Sequence, residues 1–298
     1  MGLITAEFVL EQVSYRLLEQ IVNATLNPVG GAILAGTRTV TPSNMTGIYA
    51  GAMVIVGTGT NIEVVTVISI TSATFTAAFA NGHPGTDPVS GATFSSGQPT
   101  TPLWSQEEML DYLESVQNDF LCAVRPVYAI ATQTLQVGIP SYPNPADAIR
   151  VERISVNGTE LWNMTQTDID WQGGYSPRAG QGPLNWYQDK VGPFNFAVDP
   201  IPQTGNTARI FYSQLGSTSL GLLSTLTVPD IFWPALSWGI LSIALSKDGE
   251  VKDLGRSAIA QQKFRFWQIL GLKFMEGLDA RFKSPEETVE PLLAQMGK

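Results

Sequence analysis

Cysteine and histidine are almost absent from this chain of 298 residues. The single cysteine, Cys122, excludes a disulfide within the chain. It lies among Phe120, Leu121 and Ala123 in a helical pattern and reads as a small buried apolar residue. The single histidine, His83, lies in Asn81-Gly82-His83-Pro84-Gly85, which reads as an exposed turn. One Cys and one His leave a zinc site to carboxylates, an uncommon donor set. A Ser-His-Asp arrangement would have to draw His83 out of that loop. Charge is scarce as well: 14% of residues carry one, against about a quarter in an ordinary domain. So much neutral surface suits burial in an assembly. Basic clusters are missing, and the net charge is −9 with a pI near 4.6. That balance argues against sequence-specific nucleic-acid binding and suits a wall that DNA slides past. No apolar run is long enough to span a bilayer. The nearest, Ile231–Ser246, has 16 residues without a charge and contains Pro234 and Gly239. It reads as a buried or intersubunit helix. Residues 1–7 do not form a signal peptide.

Reaction motifs are also missing. There is no G-x-x-x-x-G-K-S/T loop, no G-x-G-x-x-G after a strand, no C-x-x-C and no H-E-x-x-H. Carboxylate pairs occur at Glu107/Glu108, Asp168/Asp170 and Glu286/Glu287. The first pair suits the positive start of a helix. Asp168 and Asp170 precede Trp171, and an acid pair beside aromatics is one way to cleave a glycan; solvated loop carboxylates are the plainer reading. No catalytic, cofactor or metal site is assigned.

What the chain does contain is an alternation of helical and β regions, an α+β composition. Thr5 can cap a helix over 5–22, with Phe8, Val9, Val13, Leu17, Leu18 and Ile21 on one stripe. From 23 to 100 only Arg38, Glu63 and Asp87 are charged, and Thr, Val, Gly and Ala dominate. Strands are expected at 39–41, 52–56, 62–70 and 74–79, as a small β-barrel or sandwich spliced between helices. The run from Gly51 to His83 resembles small β modules of phage virion proteins. Ser105 and Glu108 form a capping box for a helix that Arg125-Pro126 ends. Strands follow at 127–137 and 149–156, and Asn157-Gly158 turns the second back into 159–162. Phe194, Phe196 and Val198 alternate, as do Ala208, Ile210 and Tyr212. The Asp199–Gly205 turn between them predicts a β-hairpin on a half-buried sheet. Two helices close the pattern, from Pro229 to Ser246 and from about Val251 to Phe282. The first is apolar on nearly every side and therefore central. In the second, Leu270, Phe274, Leu278 and Phe282 repeat every fourth residue with Phe266, Trp267 and Ile269 beside them, a stripe that reads as core packing. The four helices together make a helical bundle.

The order of parts in 101–298 resembles the head-to-tail adaptor (connector) proteins of short-tailed phages. It runs through a helix, Arg125-Pro126-x-Tyr128, a β-hairpin, Trp186-Tyr187-x-Asp189, the Asp199-Pro200-Ile201-Pro202 turn, Phe211-Tyr212 and two long helices. The resemblance implies an adaptor core of residues 1–22 and 101–298, an inserted β domain at 23–100 and a C-terminal arm at 284–298. It also implies a homo-oligomeric ring of about twelve copies below the portal, assembled in the host cytoplasm as part of the virion tail, with a formal net charge of about −108 (12 × −9). Portal contact would fall on Phe282, Val289, Leu292, Leu293 and Met296. Further partners would be tail nozzle or tail fibre proteins. Genomic DNA would cross the lumen without specific binding, with no cofactor and no membrane. A nozzle or baseplate protein and a tail-associated cell-wall hydrolase are the alternatives.

Overall fold

A computed structural model describes residues 4–17, 21–94, 104–165, 167–168, 182–188, 194–247 and 252–282, with side chains as far as Gly277. The chain divides into two compact units. One joins residues 1–124 to 216–298, and the other is 125–215.

Four helices belong to the first unit: α1 (Ala6–Leu17), α2 (Gln106–Val124), α3 (Trp233–Ala244) and α4 (Leu254–Phe282). Their starts follow from capping chemistry. Thr5 Oγ1 accepts the Phe8 N–H at 3.4 Å, and Ser105 Oγ accepts that of Glu108 at 3.1 Å. The Glu108 carboxylate does not close the box. It turns to Lys247 at 2.7 Å and to the Tyr112 hydroxyl. Pro234, not Pro229, occupies the first turn of α3, where a missing N–H costs nothing. α3 is apolar almost all round and touches α1, α2 and α4, burying Leu236, Ile240 and Leu241.

Gly239 permits the close crossing of α3 and α2. A methyl group there would collide with Val116 and press on Phe264. Gly239→Ala is expected to cost about 1–3 kcal/mol by overpacking. Gly277→Ala, with nothing within 4 Å of its methyl, should be neutral or slightly stabilising. Thermal melts of the two variants check the pair; equal melting temperatures would show that α3 does not sit this tightly.

Six strands complete the unit: β1 (Ile21–Thr25), β2 (Gly36–Val40), β3 (Met53–Val56), β4 (Glu63–Ile70), β5 (Phe75–Phe79) and β6 (Pro88–Ala92). They form one antiparallel sheet in the order β1-β6-β3-β4-β5-β2. It stays open, ending on β1 and β2, so the expected barrel is not closed. Val54, Val56, Val65, Val67, Phe75 and Val89 fill its core. The helix expected over 5–22 does not reach Ile21: it is described over Ala6–Leu17, and Ile21–Thr25 is strand, with Val22 and Ala24 alternating into that core. Two helix side chains clip the sheet. Glu7 accepts the Ala92 N–H at 2.8 Å, and Gln106 donates to the carbonyls of Met53 (2.6 Å) and Ala92 (3.2 Å).

The second unit holds β7 (Tyr128–Leu135), β8 (Ser141–Pro143), β9 (Ala148–Val156), β10 (Thr159–Glu160), β11 (Trp162–Asn163), β12 (Asn185–Gln188), β13 (Asn195–Asp199) and β14 (Asn206–Gln214). They make two sheets, β10-β9-β14-β7 and β11-β12-β13-β8. One core joins them, with Ile154, Ala208 and Ile210 from the first and Trp186, Phe196 and Val198 from the second. The Asn157-Gly158 turn forms as expected, both residues at positive φ, pairing Thr159 with Val156. The 194–212 hairpin does not. β13 pairs with β12 and β8, while β14 pairs with β7 and β9. Residues 200–205 carry the chain from one sheet to the other, after a cis Asp199-Pro200 bond. Alternation fixes which face a residue uses and leaves the partner strand open. Four consecutive buried residues, Phe196–Asp199, mark β13 as an inner strand.

Candidate interaction surfaces

α4 meets the rest of its unit along a narrow stripe. Ala260, Phe264 and Gly271 are buried, about one per turn. Gly271 lets the helix approach α2 closely: a methyl there would lie 2.8 Å from Val124 Cγ1. The other side of α4 exposes Ile259, Phe266, Ile269, Leu270 and Phe274. Phe266 and Ile269 are 58% and 59% accessible, and Leu270 and Phe274 are also exposed, so core packing is corrected for these four; the side chains of Leu278 and Phe282 lie outside the described residues. Phe274 keeps one edge on Phe232, with ring centroids 6.0 Å apart. Phe266, Ile269, Leu270 and Phe274 recur within three turns and form an apolar face, with Ile259 two turns earlier and Lys263 and Lys273 on the same side. Arg256, Lys263, Arg265 and Lys273 rise from the same helix, and all are exposed. Cys122 is likewise exposed on α2, against its expected burial, because it points away from the stripe of Val116, Phe120 and Leu121 that faces the core. Phe282 ends α4, and its side chain lies outside the described residues, as do Val289, Leu292, Leu293 and Met296.

Between α1, α3 and the start of α4 lies a groove of about 390 Å³, floored by Trp238, Leu241 and Leu245 and edged by Arg16, Arg256 and Ile259. The Arg16 guanidinium sits 4.2 Å from the Trp238 ring centroid and donates to Ser237 Oγ at 3.1 Å. Burial lowers its pKa. Arg256 donates to the Arg16 carbonyl at 3.0 Å. Among the described residues neither guanidinium has a carboxylate partner. In the second unit Trp162 and Phe194 are exposed at the strand ends. Phe194 corrects the expectation that it shares the buried face of Phe196 and Val198, because it precedes β13 at the strand end.

His83 corrects another expectation. It is 1% accessible, not an exposed turn residue. Nε2 lies 2.6 Å from Glu63 Oε1, and Nδ1 lies 2.9 Å from Asp87 Oδ2. Glu63 also accepts the N–H groups of Ala80 (2.8 Å) and Asn81 (3.1 Å). With both ring nitrogens engaged by carboxylates, the imidazole braces the 80–87 turn against β4. Among the described residues no cluster of three or more His, Cys, Asp or Glu side chains is placed to hold a metal ion. Burial lowers the His83 pKa, but the hydrogen bonds and charges of Glu63 and Asp87 outweigh it, leaving the pKa raised. For Glu63, burial raises the pKa, and the His83, Ala80 and Asn81 hydrogen bonds bring it below its usual range. The sign follows. His83 adds stability that is complete below its ordinary 6.5 and is lost as pH climbs through the raised folded value. Glu63 adds stability present above its ordinary 4.5 and lost as pH falls through the lowered one. Melting temperature should therefore peak between these limits. His83→Ala should flatten the alkaline side and cost about 1–3 kcal/mol near neutrality by stranding two carboxylates. A variant whose pH profile matches the parent's would remove this role.

Asp168, one half of the suggested glycan-cleaving pair, is exposed and tied to Thr165, accepting from its N–H (3.0 Å) and hydroxyl (2.6 Å). Those bonds hold its carboxyl below the usual range, opposite to the shift a general acid needs. Asp170 and Trp171 lie outside the described residues. No helix among the described residues is long and apolar enough to cross a membrane.

The family model of the SU10 adaptor protein matches residues 91–285, about two thirds of the chain. The chain belongs to that family of structural phage proteins, the head-to-tail adaptors. The matched span begins at β6 and covers α2, the whole second unit, α3 and α4. No curated protein matches the chain.

Proposed function

We propose that copies of this chain form a ring of about twelve beneath the portal of a phage head and extend the DNA channel into the tail. The apolar face of α4 carries this reading. A contiguous face of large side chains is costly to leave in water, and an assembly partner is the usual cover for it. The family match supports adaptor rather than any other ring component. The −9 charge per copy supports a lumen that does not hold phosphate, since DNA adhesion rests on Lys and Arg contacts. The sheet of segment 23–100, carried on the same unit as the helices, faces outward or toward a tail nozzle or fibre protein. Assembly takes place in the host cytoplasm, and the ring remains in the virion. Electron microscopy of phage particles carrying a bulky tag on this chain tests the placement. Density at the neck, between head and tail, is expected. Tag density at a distal baseplate would move the protein to the nozzle or baseplate class, and absence from the particle would end the structural reading.

A further inference from the structure

We propose that the groove between α1, α3 and α4 is the seat for residues 284–298 of a second copy of this chain. The inference rests on the ring reading and names a contact within it. The groove and the segment have matching chemistry. The floor is apolar, with Leu241 and Leu245 buried and Trp238 partly covered, and Ile259 stands exposed at its edge. Arg16 and Arg256 supply two positive charges without a carboxylate among the described residues. The Trp238 ring and Ser237 Oγ hold the half-buried Arg16 guanidinium at the groove. Residues 284–298, Ser-Pro-Glu-Glu-Thr-Val-Glu-Pro-Leu-Leu-Ala-Gln-Met-Gly-Lys, carry three acids, Glu286, Glu287 and Glu290. After Pro291 come Leu292, Leu293 and Met296, spaced as one apolar turn of helix with proline at its start. An amphipathic turn laid into an apolar groove, with its acids toward the groove's arginines, is a standard mode of segment recognition.

The occupant is a second copy because of reach. Ile259 and Phe282 lie 23 residues apart on one helix, about 35 Å at 1.5 Å per residue. Leu292 is ten residues past Phe282 and can return at most about 35 Å when fully extended. Seating in its own groove would use every residue of the link and leave no slack for the turn of helix. A neighbour related by rotation faces no such limit, and a contact of unlike surfaces repeated around an axis closes a ring.

Cross-linking tests this in the full-length chain. In a Cys122→Ser background, one protein carries Ile259→Cys and another carries Leu293→Cys. The two are mixed under mild oxidation, alone and with portal protein. A disulfide-linked dimer is expected in the mixture, and Arg256→Glu should lower its yield by about fivefold or more, with Lys263→Glu, outside the groove, as the control. A chain carrying both cysteines that closes only on itself would assign the groove to its own segment and overturn the proposal. Ring particles of normal mass without the 259–293 link would overturn it too, leaving the segment to the portal while the ring reading stands. Failure of the ring reading has its own sign: no large particle with portal in any variant. A link between free copies survives that outcome as evidence for the contact, and its absence there counts against the contact.

Discussion

Serine in place of Phe266, Ile269 and Leu270 together is expected to leave the isolated chain folded and to cut its incorporation into portal-bound particles by tenfold or more. Phe266 and Ile269 are more than half exposed and Leu270 is 43% exposed, and none belongs to the buried stripe of Ala260, Phe264 and Gly271, so folding gains little from them. Burying each against a partner would contribute about 1–2 kcal/mol, and about 1.4 kcal/mol is a factor of ten in association. The melting temperature of the triple variant should stay close to the parent's, while sedimentation with portal protein should show mostly free chain. Serine at the polar exposed positions Gln261, Gln262 and Arg265 makes the control. Normal particle formation by the triple variant would mean that this face is not the covered one.

Phe120→Ala is expected to destabilise the first unit by about 3–5 kcal/mol. Phe120 is fully buried, and its ring centroid lies 5.2 Å from that of Phe232 and 6.5 Å from that of Phe264. It stands where α2, α3 and α4 converge, beside the close approach that Gly271 allows. Such a site has no flexible neighbour to fill the space, so most of the cavity cost remains. Urea unfolding, compared with Phe266→Ala on the exposed face, measures the difference. The buried aromatic should shift the midpoint strongly and the exposed one hardly at all. A cost below about 1 kcal/mol at Phe120 would mean that the three helices are not locked together there.

The contrast between Phe120 and Phe266 also shows what the sequence could reveal. Both sit in aromatic helical stripes that look alike on paper. Periodicity shows that a face is apolar, but not whether another part of the same chain covers it. Ser105 and Thr5 were legible because a cap is local chemistry, and Asn157-Gly158 because the turn needs positive φ at both positions. Strand pairing is not local. Phe196 and Ile210 were correctly turned into a core, but the sheet exchange across 200–205 depends on β8 and β12 competing for β13, which no short window contains. β1 and β6 were missed for a different reason. Asn23 and Gly91 dilute their apolar pattern, and Ser90 and Gly91 belong to a strand ordered partly by Gln106 and Glu7 reaching in from the helices. His83 stood among Gly and Pro and therefore read as a surface turn. Its burial comes from Glu63, twenty residues away, and Asp87. The adaptor reading depended on the order of many weak features, and the family match over residues 91–285 supports it at the level of the family.

Measuring particle mass after mixing the purified chain with its portal protein tests the central claim most directly. A discrete species is expected, heavier than the portal ring by a fixed whole number of 32.2 kDa chains and annular in projection. A chain that remains a monomer at every ratio, while the portal ring stays bare, would contradict the assignment of its uncovered helix face to assembly.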